Sequence, residues 1–456
     1  MSAGVPPPVP SPAGAPDTAG LRRFFTLWLS QSGSLIGTFV TLFAINIWQT
    51  TVVFPRLDQK PQLAASLTLT TLAFTAPTIF GAPLAGAFAD RHDRRRIMLL
   101  ANLANGLLSL ALIALLLSGR VGLPGAAVLL AFYAIAGSFH SAAFDASYVM
   151  LVPHEQLPRA NAMMMTSQAL SALVAPALAA SLIMLPRLLA AGHGAVAGLA
   201  ARLPNGVPVA IAFDMLTFFT AALVLTRIAV PSPPRAAGPR PSLRRDLAEG
   251  WRYLAHQTAL LWLLAVFALA NLSGAFFSIL TPLMVRFSFV EHGNALGLGY
   301  EPAFALLSTV SGLGGVLGGV AMAAWGGSKG HRVLGALLSM VLFALALIGY
   351  GAARTLVGAC VFGALFEAAV PSLSAHSATL WQTRTPKELQ GRVFAARRMV
   401  AQCSYPLGLA LAGFLATRYE PGTMLVVLGI ALALFAASQF ANRPLMSVER
   451  ETPPAG

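Results

Sequence analysis

Twelve runs of 20 or more largely apolar residues, broken by short polar or Pro- and Gly-rich stretches, fill most of this 456-residue chain. A soluble core neither needs nor tolerates such runs. Hydrocarbon offers no water to unpaired backbone groups, so each run must close its own hydrogen bonds as a helix; the alternation of a barrel strand is absent. The expected fold is all-α and integral to a membrane, with transmembrane helices near residues 23–49, 62–88, 96–118, 124–150, 159–186, 207–228, 257–285, 302–325, 331–351, 354–380, 390–417 and 421–442. A mean hydropathy of +0.71 agrees with a lipid bilayer as its surroundings.

The segment "PSPPRAAGPRPSLRRDLAEGWRYL" is the longest polar, Pro-rich break after the first helix, and it divides the runs six and six. The expected organisation is a disordered tail (1–21), a first six-helix bundle (22–228), a linker (229–256) holding a surface helix near 242–254, a second bundle (257–443) and a short tail (444–456). Arg22 and Arg23 precede a full-length span with no convincing cleavage site, so the first helix is expected to be retained. With the N-terminus inside, 22 of the 30 Lys and Arg fall on the cytoplasmic side; Arg56, Lys60, Arg120, Arg187, Arg202, Arg286, Arg354 and Arg418 lie outside. This asymmetry predicts a cell inner membrane with both termini cytoplasmic, and it accounts for a net charge of +14 without nucleic acid. Cys360 and Cys403 fall inside apolar spans and read as packing residues, with no disulfide framework and no metal set.

Three landmarks recur in order. "GAFAD" matches "GVAMAAWGG" (Gly86 to Gly319, offset 233), "LVPHEQL" matches "TRTPKEL" (Leu157 to Leu389, offset 232), and Pro176 matches Pro406 (offset 230). Two parallel six-helix halves follow as the natural reading.

Between the second and third spans stands "GAFADRHDRRRIML". Gly86, Asp90, Arg91, Asp93, Arg94 and Arg95 fit a G-x-x-x-D-[RK]-x-G-[RK]-[RK] pattern, with Asp93 in the Gly position. On these residues the chain resembles the major facilitator superfamily. The variant "DRxDRRR" resembles its macrolide-efflux and enterobactin-exporter branch, as do "QSGSLIGTFVTLFAINIW", "AAWGGSKGHRVLGALL" and "LQGRVFAARRMVAQ". The resemblance implies two pseudo-symmetric bundles rocking around a central cavity, with Asp90 meeting the N-terminus of the eleventh helix, near Gln390, Gly391 and Arg392, in the outward-open state. The Arg residues then hold the turn at the membrane surface, Gly86 permits close approach of a neighbouring helix, and the acids form a conformational latch. "SALVAPALAA" keeps the spacing of the drug-antiporter pattern, with Ser171, Ala175, Pro176, Ala179 and Ala180 at its fixed positions. Ordinary helix packing explains it as well. Gly314 and Gly318 in "SGLGGVLGG" read as helix packing, as does Pro406; no phosphate-loop Lys follows, which speaks against ATP as the power source.

Three acids lie inside spans: Asp145, Asp214 and Glu367. A carboxylate there must be paired, protonated or wet, which suits proton exchange. Glu367 is the deepest and the first candidate, with Arg397 and Arg398 as counter-charges. Gln31 and Asn46 on the first span are candidate cargo contacts, or else interhelical hydrogen bonds; His140 and His376 read as packing residues. No nucleophile, base and oxyanion group assemble from spacing, so an enzyme is not expected and no cofactor is implied. The expected function is export of a hydrophobic or amphipathic small molecule, a drug, macrolide or siderophore-like metabolite, in exchange for protons, by a monomer. An uptake symporter and a non-transporting membrane sensor are the rival readings.

Overall fold

The computed structural model describes residues 18–119, 122–203, 205–230, 243–290, 295–328, 330–386 and 389–449. Most of the expected tails, residues 231–242 of the linker and Arg120 of the charge count lie outside these residues. Twelve long helices carry the fold: α1 (Thr18–Trp48), α2 (Lys60–Ala89), α3 (Arg94–Leu117), α4 (Leu123–Leu151), α5 (Leu157–Ala190), α6 (Val207–Arg227), α7 (Thr258–Met284), α8 (Tyr300–Trp325), α9 (Arg332–Gly351), α10 (Leu356–Arg384), α11 (Gln390–Ala416) and α12 (Pro421–Phe440). All twelve are long and apolar enough to cross a membrane, and no strand occurs among the described residues.

Local sequence sets the helix ends. Pro61, Pro124, Pro208 and Pro421 sit in first turns, where the missing N–H is no loss. Gly326 ends α8 at φ 74°, a left-handed conformation that suits glycine. Asp93 caps α3, accepting from the Arg96 N–H at 3.0 Å. The matching helix of the second half, α9, takes its cap from elsewhere: the Glu449 carboxylate, past the end of α12, accepts from the Arg332 and Val333 N–H groups at 2.9 and 3.0 Å. Both halves also end their first helix in a π-turn, Gln49–Val53 after α1 and Val285–Val290 after α7. In the first, the Thr50 and Thr51 hydroxyls donate to the Asn46 and Ile47 carbonyls at 2.9 and 2.8 Å.

The internal repeat is visible in the packing. In the first bundle α1 lies against α5 and α6, α2 against α4, and α3 against α4 and α6; in the second, α7 lies against α11 and α12, α8 against α10, and α9 against α10 and α12. The bundles meet through an equally symmetric pair of contacts, α5 with α8 and α2 with α11. Within the second bundle, Gly314 and Gly318 face the α10 backbone at Ala364 and Ala368 so closely that an added Cβ would overlap it. Gly314→Leu is therefore expected to pry α8 from α10 at a cost of about 1–3 kcal/mol. A lower thermal unfolding midpoint in detergent micelles checks this, with Gly319→Ala, whose Cβ would have 3.9 Å of clearance, as the unaffected control.

The helices α2 and α11 show how the bundles are disposed. Near the face opposite the termini they touch, Gly413 of α11 packing directly on the Thr68 side chain. At the face carrying the termini, a Cβ added to Gly86 of α2 or Gly391 of α11 would meet nothing within 4 Å. The bundles thus lean together at the distal face and open toward the terminal face. This corrects the expectation for Gly86: among the described residues no helix comes within 4 Å of a Cβ placed there in this state, because the gap between bundles lies beside it.

Candidate functional site

The opening between the bundles runs into two chambers of distinct chemistry. The one walled mainly by the second bundle has a volume of about 540 Å³ and carries Phe267, Phe277, Phe304, Phe343, Phe366 and Tyr405 around Glu367. The other, of about 670 Å³, is walled by the first bundle with Gln402 of α11 and is rich in hydroxyls and amides, among them Gln31, Ser34, Thr38, Asn105, Ser141 and Gln168.

Glu367 packs beside Gly315. Its side chain faces Gly315 of α8, whose missing Cβ would stand 3.6 Å from the Glu367 Cβ. Among the described residues no cation lies within 4 Å of its carboxylate. Arg397, expected as a counter-charge, turns elsewhere: its guanidinium stacks over Phe267 at 5.0 Å and Trp381 at 5.2 Å, and donates to the Ser377 hydroxyl at 3.4 Å. The exposed Arg398 likewise makes no ion pair with Glu367. The start of α11 thus turns its cation onto rings of α7 and α10 rather than toward the carboxylate.

The other sequence-derived candidates separate. Asp145 and His140 line the first-bundle chamber with Gln31, while Asn46 reaches the Glu367 chamber and donates to the Leu42 carbonyl at 3.2 Å. Asp214 does not reach the cavity surface. It is fully buried among α1, α3 and α4. Ser171, Ala175 and Pro176 are buried on α5, and the α5 backbone at Leu173 passes 3.4 Å from the position of a Cβ on Gly312 of α8. The contact between bundles thus falls on Ala172 and Leu173, whereas Ser167, one turn before Ser171, meets Ser32 of α1 inside the first bundle at 2.9 Å. Pro406 is half-buried on α11. His376 anchors the loop after α8, its Nε2 accepting from the Ser328 N–H at 3.1 Å while Nδ1 donates to the Ser372 carbonyl at 2.8 Å.

The loop between α2 and α3 divides into parts with different tasks. Asp90 ends α2 at the exposed surface, with the Arg94 guanidinium at 3.8 Å, and Asp93 is the cap already described. Arg91 is exposed. Arg94 and Arg95 are more than surface anchors, which corrects the purely topological expectation. Arg94 is 7% exposed and donates to the Ala146 carbonyl of α4 at 2.7 Å. Arg95 donates to the Leu225 and Thr226 carbonyls at the end of α6, at 2.7 and 2.5 Å. Helix C-termini carry partial negative charge, so these two side chains fasten α3 to α4 and α6. Arg392, at the start of α11, pairs with Glu249 of the surface helix Leu243–Ala255 at 2.6 Å.

The distal closure escaped the sequence reading altogether. Phe43 of α1 stacks on Phe304 of α8, centroids 4.4 Å apart and planes 10° from parallel. Tyr300 hydrogen-bonds Thr50 at 3.2 Å, and the Arg286 guanidinium donates to the Pro55 carbonyl at 2.6 Å. Two ion pairs, Lys60 with Glu420 at 2.5 Å and Arg187 with Glu301 at 3.5 Å, complete it. Each contact joins residues more than 100 positions apart in separate bundles, so no local spacing signals it.

Two matched six-helix bundles, packed at one face, open at the other and lined by a cavity that reaches an acid within the spans, have the architecture of a secondary transporter. The chain belongs to the Major Facilitator Superfamily, which matches residues 27–304. It is similar to macrolide efflux protein A of Streptococcus pyogenes, 25% identical over 401 residues that cover 87% of this chain and 90% of that protein. Macrolide efflux protein A of Enterococcus faecalis is 25% identical over 350 residues, 76% of this chain and 99% of the relative. The same fold occurs in a bacterial homolog of the human lysosomal transporter Spinster, at TM-score 0.66 and 15% identity over 97% of this chain and 100% of that one. It occurs also in a D-xylose-proton symporter, at TM-score 0.65 and 14% identity over 94% and 99%.

Proposed function

We propose that this protein exports an amphipathic small molecule of the macrolide or drug type from a bacterial cell in exchange for protons. The observation that carries the reading is Glu367, a carboxylate without a counter-charge among the described residues, set in an aromatic chamber that the cargo must enter. Such a group is neutralised either by a proton or by the basic end of a cargo, and mutual exclusion of the two is antiport. The hydroxyl- and amide-lined chamber opposite suits an oxygen-rich end of the same molecule. The relatives named for macrolide efflux support this substrate class. The count of Lys and Arg supports cytoplasmic termini in an inner membrane, which makes the state described here open to the cytoplasm. Both chambers are built by one chain, in keeping with action as a monomer in the bilayer. Asp90 with its neighbours acts as the latch of the opposite state.

The polar chamber also favours the rival reading, proton-coupled uptake, and direction separates the two. In proteoliposomes with an imposed pH gradient, erythromycin is expected to move against the proton flow and to stop when a protonophore collapses the gradient. Movement in the same direction as protons establishes the symporter instead, and transport indifferent to the gradient overturns both.

A further inference from the structure

We propose that Asp214, Tyr133 and Thr38 form a second proton site, inside the first bundle, in which Asp214 stores a proton that enters from the cavity through the two hydroxyls. The proposal rests on the proton-coupled reading above and goes beyond it in placing a store away from the cargo. Asp214 of α6 is 0% exposed. Its Oδ2 accepts from Thr41 of α1 at 2.7 Å, Tyr133 of α4 at 2.9 Å and Ser109 of α3 at 3.4 Å. Its Oδ1 is buried without a partner, beside Gly37 of α1, where an added Cβ would stand 2.5 Å from it.

Three donors on one oxygen and none on the other is a poor home for a permanent anion. A dry carboxylate with a bare oxygen is costly, and among the described residues no cation lies within 4 Å to offset it. The groups facing it are the Thr41, Ser109 and Tyr133 hydroxyls, with Thr217 of its own helix bonded to its backbone carbonyl. Tyr133 is the one titratable group among these contacts. A proton on the carboxylate removes the charge without requiring any cation.

The route to it is short. Thr38 and Tyr133 both line the first-bundle chamber, and their oxygens are 2.9 Å apart. When Tyr133 passes its hydroxyl proton to Asp214, it accepts the Thr38 hydroxyl proton, and Thr38 accepts one from hydronium in the cavity. One O–H bond breaks and one forms at each hydroxyl. The net change is one proton moved from the cavity to the carboxylate, and the reverse series releases it. Ionised Asp214 grips Thr41 by a charge-assisted hydrogen bond that weakens on protonation. Since α1 also carries Phe43 of the distal closure, filling the store loosens the helix that holds that face shut.

Infrared difference spectra of the lipid-reconstituted protein across pH steps, in a Glu367→Gln background, test the store directly. A carboxylic-acid C=O band that appears with acid and vanishes in Asp214→Asn is expected. Tyr133→Phe should keep the band but slow its appearance after a pH jump by at least about tenfold. Asn preserves an oxygen for the three hydroxyls, so a purely structural clamp predicts wild-type proton-dependent transport in Asp214→Asn in an otherwise unaltered chain. That result, a band indifferent to Asp214→Asn, or an unslowed Tyr133→Phe overturns the proposal. The spectra require no cargo: wild-type erythromycin transport without pH dependence overturns the export reading, and the band is judged separately.

Discussion

Replacing Glu367 with Gln is expected to abolish the accumulation of cargo that a pH gradient drives. Each pH unit of gradient is worth about 1.4 kcal/mol per proton, enough to sustain roughly a tenfold concentration ratio of cargo for one-for-one exchange. Gln fills the same space beside Gly315 and keeps a polar tip, but it cannot change charge, so the accumulation ratio should fall to about one. The sign is specific. On the antiport reading, wild-type export is expected to quicken as the far side of the membrane is made more acidic; in the variant the accumulation ratio is expected to stay near one at every gradient, while downhill movement of cargo persists. The measurement is macrolide accumulation in proteoliposomes at a series of imposed gradients. A variant that still follows the gradient removes Glu367 from the mechanism. An ionised acid without a counter-charge at the centre of a membrane helix costs up to about 2.5–3.5 kcal/mol, less where it faces a wet cavity, and that cost favours taking up a proton or a cation.

Asp90→Asn should trap the protein in the state described here. A carboxylate at a helix N-terminus is worth about 0.3–1 kcal/mol, and up to about 2 where partly buried. Losing 1–2 kcal/mol lowers the population of the state that contact stabilises by roughly five- to thirty-fold. The resemblance of the α2–α3 loop to its family implies that Asp90 meets the start of α11 once the terminal face closes. In the open state Asp90 lies with Arg94, and Arg392 is held by Glu249 of the surface helix. Spin labels at the exposed Leu84 of α2 and Met399 of α11, clear of the latch residues, report the closure as a distance. The Asn variant is expected to lose the short-distance population while binding macrolide with wild-type affinity. An unchanged distance distribution refutes the latch.

Much of this molecule could be read from one sequence, for reasons that differ by scale. The spans were legible because a helix in lipid must close its own hydrogen bonds, so composition alone reports it. The six-and-six division and its repeat were readable as expectations from the polar break and the recurring Gly and Pro landmarks, and the helices of the two halves pair in the same order. Glu367 stood out as a buried acid, and the cavity does reach it. What remained hidden depends on which helix faces which. Asp214 and Asp145 look alike in sequence, yet one is sealed among three other helices and the other lines a chamber. Arg94 and Arg95 read as surface charges because nothing local shows that the carbonyl ends of α4 and α6 lie within their reach. The Phe43 and Phe304 stack pairs two ordinary apolar residues whose meaning arises only when the bundles close.

The two ion pairs of the distal closure share a polarity. Lys60 and Arg187 both belong to the first half and Glu420 and Glu301 both to the second. A half facing a copy of itself would set base against base or acid against acid at this seam, which disfavours self-association. Encoded as two separate polypeptides, the halves would therefore select each other over their own kind.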